Sequence, residues 1–176
     1  MSLKETPAIK DTGPQGPAES HKSDWRIHLL IVVFLFLLSP VRILYVLPNI
    51  STHIPGDVMD TAEYPINEWW TAYALLDLKI NPFYNNHIFS PLGQNLVQHT
   101  YTFMDGLFYT LLSPFISLIT FHNLLVWMTF FANSVAAYLL ILYLTRMPWL
   151  SFIGATAFAH SPTLVSYYKT ASLLEF

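Results

Sequence analysis

The chain has 176 residues, 53% hydrophobic and 16% aromatic against only 11% charged, with a mean hydropathy of +0.42. An ordinary soluble domain carries about 25% charged residues, so this composition lacks the charge needed to solvate a surface. Eight Lys and Arg against eleven Asp and Glu give a net charge of −3, which excludes a strongly basic nucleic-acid binder. The absence of cysteine excludes a disulfide framework, a thiolate zinc site and a cysteine nucleophile.

Residues 1–24 read as a disordered cytoplasmic arm: Pro7, Gly13, Pro14, Gly16 and Pro17 are interspersed with mixed charge and few apolar groups. The arm is too long, and lacks the small-residue cleavage site, for a signal peptide. The first apolar run, 27–47, has sixteen Leu, Ile, Val or Phe residues. These contribute roughly −5 to −9 kcal/mol to membrane insertion, against about +3 kcal/mol for Arg42 at worst. Pro40 is expected to kink this helix. Further spans are expected at 103–121, 123–144 and 149–161, with His122 in a tight hairpin between the second and third. The expected fold is therefore all-α and integral to the membrane, with about four transmembrane helices. Basic residues crowd the N-terminal arm, whereas 48–102 carries only Lys79. That bias puts the N-terminus in the cytoplasm, the 48–102 loop outside, and the whole as a multi-pass protein of the plasma or inner membrane. In this scheme Arg146 falls on the outer side, against the bias.

The 48–102 loop concentrates the scarce polarity, holding Asp57, Asp60, Glu63, Glu68 and Asp77. It is too aromatic to be disordered. Residues 64–78 read as an amphipathic helix in the membrane interface, with Ile66, Trp69, Trp70, Tyr73 and Leu76 on one face and Asn67, Glu68 and Thr71 opposite. It serves either as an aromatic-belt anchor or as the floor of a lipid-substrate site. Asp57 and Asp60, three apart beyond Gly56, share a face if the chain turns helical there. Such a pair is either a solvated acidic turn or a base whose pKa is tuned by its neighbour. Asp105, at the start of the second span, either snorkels or faces a site. His53, His87 and His99 lack ligand spacing, so no metal is expected and a divalent cation has no support in the pattern.

The order of motifs resembles the GT-C type membrane glycosyltransferases, in a poorly characterised prokaryotic multi-span group. The resemblance runs through G-D-x-x-D (Gly56, Asp57, Asp60), N-E-W-W (Asn67 to Trp70), A-L-L (Ala74 to Leu76) and N-P-F (Asn81 to Phe83). It continues through F-S-P-L-G (Phe89 to Gly93), H-T (His99, Thr100) and A-F-A-H-S-P (Ala157 to Pro162). It implies transfer of a sugar from a polyprenyl-phosphate donor to an acceptor hydroxyl with inversion, with Asp57 as first choice of catalytic base and Asp60 as second. Arg42, Trp69, Trp70, His99 and Asp105 become substrate-binding candidates, and Arg42 suits the donor phosphate. Partners are the bilayer and the lipid-linked donor. Family members carry many more helices, so the chain reads as an N-terminal portion completed by further helices or a partner subunit. It is expected to be inactive alone. The alternatives are a non-enzymatic assembly or scaffold protein of the membrane and, third, a transporter fragment.

Overall fold

A computed structural model describes residues 25–56, 62–98 and 101–164, the side chains of Arg42 and Gln98 excepted. The protein is mainly helical. Helix α1 (Trp25–Leu38) gives way at Pro40 to a 3₁₀ segment, Ser39–Ile43, where proline occupies the first turn. Ser39 donates to the Leu35 carbonyl, and the Phe36 carbonyl, whose helical donor Pro40 lacks, accepts from the Trp127 indole N–H at 3.3 Å. Helix α2 (Glu63–Ala72) continues into a wide π-turn, Tyr73–Leu78, that Lys79 ends in a left-handed conformation. Two short antiparallel strands follow, β1 (Tyr84–Asn85) and β2 (Gln94–Asn95), paired Tyr84 to Asn95 and Asn85 to Gln94. Helices α3 (Phe103–Leu112), α4 (Leu118–Thr145) and α5 (Pro148–Ala159) complete the described chain.

The expected hairpin at His122 is not there. Pro114 ends α3 early, and Ser117 caps the next helix by accepting from the Thr120 amide. Residues 118–122 therefore belong to α4, and His122 sits inside its second turn. The boundary was misplaced because apolar content runs unbroken across it, and only the proline and the serine cap mark the true break. Helix α3 keeps ten residues, about 15 Å at the α-helical rise. Among the described residues, α4 alone is long and apolar enough to cross a membrane.

Helices α1 and α4 run antiparallel. His28 bonds the Tyr138 hydroxyl, Phe36 stacks on Trp127, and Ile43 packs against Val126 and Phe130. The buried stripe of α4 is His122, Val126, Phe130, Ser134 and Tyr138, a strict four-residue repeat. Helix α5 answers with Ser151, Ala155 and Ala159, also four apart and buried. Small residues at that spacing let two backbones approach closely. At Gly154 an added Cβ would lie 2.7 Å from Ile141 Cδ1.

Buried polar groups lie beside three buried apolar clusters. Asn67, Glu68, Thr71, His122, Asn123, Ser134 and Ser151 are buried. Phe115 and Leu111 are 86% and 67% exposed, and Leu139, Leu140, Tyr143, Leu144 and Ile153 also face outward. On helix α2, Asn67, Glu68 and Thr71 point inward together with Tyr64 and Ala72, while Ile66 and Trp69 are open, as is Leu76 in the π-turn that follows. The exception on its apolar side is Trp70, which is fully buried.

Candidate functional site

Glu68, Thr71, His122 and Asn123 lie where α2, α3 and the first turns of α4 meet. Glu68 of α2 and His122 of α4 form an ion pair, Oε1 to Nδ1 2.8 Å, with 1% and 5% of their side chains exposed. With Glu68 ionised it can only accept, so His122 Nδ1 carries the hydrogen. Burial raises the Glu68 pKa above its ordinary value, and the hydrogen bond and charge of His122 pull the other way. Its second oxygen, Oε2, is buried without a hydrogen-bond partner among the described residues. Asp105, half-buried on α3, interacts electrostatically with both Glu68 and His122.

The next residue of α4 holds the loop stem. Asn123 Nδ2 donates to the carbonyls of Ile50 (2.7 Å) and His53 (2.8 Å). Pro55 is buried, and the Gly56 amide donates to the Tyr45 hydroxyl at 3.1 Å. Gly56 has φ +116°, a conformation open to glycine and strained for other residues. The chain that leads into Asp57 is thus fixed to α4 one residue beyond the ion pair.

On the other side, α2 and α3 are pressed together at Gly106. A Cβ there would fall 2.5 Å from Thr71 Cβ and closer still to its Oγ1. Thr71 in turn donates to the Asn67 carbonyl at 2.9 Å and bonds the Tyr101 hydroxyl at 2.6 Å. The Trp70 indole N–H donates to the Pro82 carbonyl at 2.9 Å, and its ring meets His87 edge-on. Phe83 packs against Tyr101 and Phe103. A cleft of about 420 Å³ opens on the remaining side of α2, lined by Ala62, Glu63, Ile66, Asn67, Ile88, Phe89, Gln94 and Leu96.

Of the residues singled out from sequence, Asp57, Asp60 and His99 lie outside the described residues, as does the Arg42 side chain; Arg42 itself belongs to the 3₁₀ segment. Trp70 is a structural pin rather than an exposed contact, because burial and the bond to Pro82 consume its ring and its N–H. Trp69 is 43% exposed and stacks on Tyr73 with centroids 5.1 Å apart. Asp105 does face the cluster. Sequence reasoning passed over His122 and Asn123 and took Glu68 for the polar back of an interfacial helix. The signal that could have found His122 is the four-residue repeat from His122 to Tyr138, which places it on the buried stripe.

Among the described residues no group of three or more His, Asp or Glu is arranged to hold a metal ion. No protein-family model, curated protein or solved structure matches the chain.

Proposed function

We propose that the chain belongs to a membrane-embedded glycosyltransferase that moves a sugar from a polyprenyl-phosphate donor to an acceptor hydroxyl with inversion. One observation carries this reading: the motifs of the 63–96 stretch pack together around α2, and the stem before Asp57 is tied to α4 beside them. The N-E-W-W helix contributes Glu68 and Trp70, N-P-F supplies the carbonyl that Trp70 binds, and F-S-P-L-G borders the cleft. The stem of G-D-x-x-D is tied to Asn123, the neighbour of the Glu68 partner.

A multi-pass seat in the bilayer is supported by the apolar residues exposed along α1, α3, α4 and α5, together with polar side chains buried among the helices. The α1–α4 pairing supports the expected orientation. Because these helices are antiparallel, the ends of α1 and α4 that bear Arg26 and Arg146 lie on the same side. The basic arm, Arg26 and Arg146 then share the cytoplasmic face, which removes the contradiction that Arg146 posed when His122 was read as a turn. The loop stem, α2 and the ion pair share the outer face.

In this reading Asp57, or failing it Asp60, accepts the acceptor's hydroxyl proton as that oxygen attacks the anomeric carbon. The bond from that carbon to the donor phosphate breaks, and the phosphate leaves with its electron pair. Glu68 and His122 fix α2 against α4 so that the loop is presented in one register. The test is transfer of labelled sugar from a polyprenyl-phosphate donor in membranes carrying the protein expressed from its native locus. Asp57→Asn or Asp60→Asn is expected to lower the rate by about 10²–10⁴-fold. Undiminished transfer in both variants would refute the base assignment, and a wild-type locus without transfer favours the scaffold reading.

A further inference from the structure

Most polar side chains along α4 are answered within the fold. Thr129 and Ser134 donate to the carbonyls of Leu125 and Phe130, one turn back on the same helix, and the Tyr138 hydroxyl bonds His28. The Asn133 amide is different: no hydrogen bond among the described residues engages it. It lies about 22 Å along the axis from Leu118 and about 18 Å from Thr145. Wherever a hydrocarbon core about 30 Å thick falls on this helix of about 42 Å, the amide is at least about 7 Å inside it. At that depth no water supplies partners, and an amide facing lipid alone is costly.

The amide borders an open cleft. About 360 Å³ in volume, it runs along the flank of α4 beside α5 and is lined by Asn133, Ala136, Ala137, Leu140, Ile141 and Phe158. None of these α4 residues belongs to the buried stripe from His122 to Tyr138. Asn133 is half-buried, Ala136 is exposed, and Leu140 is 60% exposed. Asn133, Ala136 and Leu140 follow one another at three and four residues, the spacing of a seam between two packed helices.

We propose that this flank of α4 is the contact between two copies of the chain in the membrane, their Asn133 amides hydrogen-bonded to each other across a two-fold axis along the membrane normal. Complementarity names the occupant. A primary amide donates through Nδ2 and accepts through Oδ1, so two of them satisfy each other reciprocally. Copies inserted in one orientation hold Asn133 at the same depth, as a contact of identical patches requires. A lipid chain in the cleft would leave the amide unmet, and a helix of another protein would need a polar group at the matching depth. The small side chain of Ala136 lets the two backbones approach closely enough for the amides to reach. The inference rests on α4 crossing the bilayer and is independent of the transfer chemistry.

The test uses the full chain in liposomes, where the absence of native cysteine makes each engineered thiol unique. Under copper–phenanthroline oxidation Leu140→Cys is expected to give a disulfide-linked dimer. Leu139→Cys, 57% exposed and one residue away but turned from the cleft, is expected to give none. Asn133→Leu in the L140C background is expected to raise the protein-to-lipid ratio for half-maximal cross-linking by about tenfold, with Asn133→Gln restoring much of it. Dimer absent from L140C, equal at L139C, or insensitive to N133L overturns the proposal; the first is the result if a lipid chain or another helix fills the cleft. Ala132→Cys, exposed and next to Asn133, is expected to resist a membrane-impermeant maleimide. Its labelling would overturn the proposal as well, by removing the span on which it rests.

Discussion

Replacing Gly106 by alanine sets two physical effects against each other. In an isolated helix the change stabilises by about 1 kcal/mol, because alanine loses less backbone entropy. In this structure the new methyl group would sit 2.5 Å from Thr71 Cβ and 3.0 Å from its Cγ2, where carbon atoms prefer about 3.5–4.0 Å. Neither atom is the far end of a flexible chain, so α2 and α3 must part by roughly 1 Å. Overpacking of this kind costs about 1–3 kcal/mol, and the rigid partners put this case at the upper end. The separation also stretches the Glu68–His122 contact beyond its 2.8 Å. Net of helix propensity, G106A is expected to lose about 2 kcal/mol, or roughly 4–8 °C in thermal midpoint. Thermal unfolding in detergent, followed by tryptophan fluorescence, measures it. The swap G106A/T71G returns the room and is expected to be more stable than the sum of its single variants by at least about 1 kcal/mol. A G106A midpoint at or above wild type, or strict additivity in the swap, would refute the close packing of α2 on α3.

Two further outcomes follow from the same region. Burial holds the Glu68 carboxyl above its ordinary 4.5. Between that value and the raised one, the folded protein keeps a proton that the unfolded chain has released. Its contribution to stability is therefore present at low pH and lost as pH rises, at no more than about 1.4 kcal/mol per pH unit. Glu68→Gln should flatten that part of the midpoint-versus-pH curve, and an unchanged slope counts against the assignment. Asn123→Ala removes both bonds to the loop stem, so stability should fall by about 1–3 kcal/mol and limited proteolysis between Ile50 and Gly56 should accelerate. Cleavage at the wild-type rate would mean that the stem is held by something else.

The helical, apolar character of the chain was legible because composition and long apolar runs carry it directly. Pro40 was legible as a local disturbance, expected as a kink within 27–47, whereas the α-helix ends at Leu38 and continues as a 3₁₀ segment. The length of α3 was not legible, because Leu111, Phe115 and Ile119 look alike to a hydropathy count on either side of a break made by Pro114 and Ser117. The burial of Glu68 was illegible for a deeper reason. Amphipathic periodicity reports that α2 has two unlike faces but not which of them is buried. The inward turn of Thr71 and Glu68 depends on partners 30 and 54 residues away, Tyr101 and His122, which no local pattern encodes.

The 28 residues of α4 span about 42 Å, whereas a bilayer's hydrocarbon core is about 30 Å thick. The surplus of about two turns matches the distance from Leu118 to Leu125, the stretch that carries His122 and Asn123. For a chain seated in a bilayer, α4 is then both a span and a stalk, and membrane thickness sets the height of the ion pair above the hydrocarbon. A thicker membrane would draw those first turns down and bring the stem of the Asp57 loop with them, since Asn123 ties the two together.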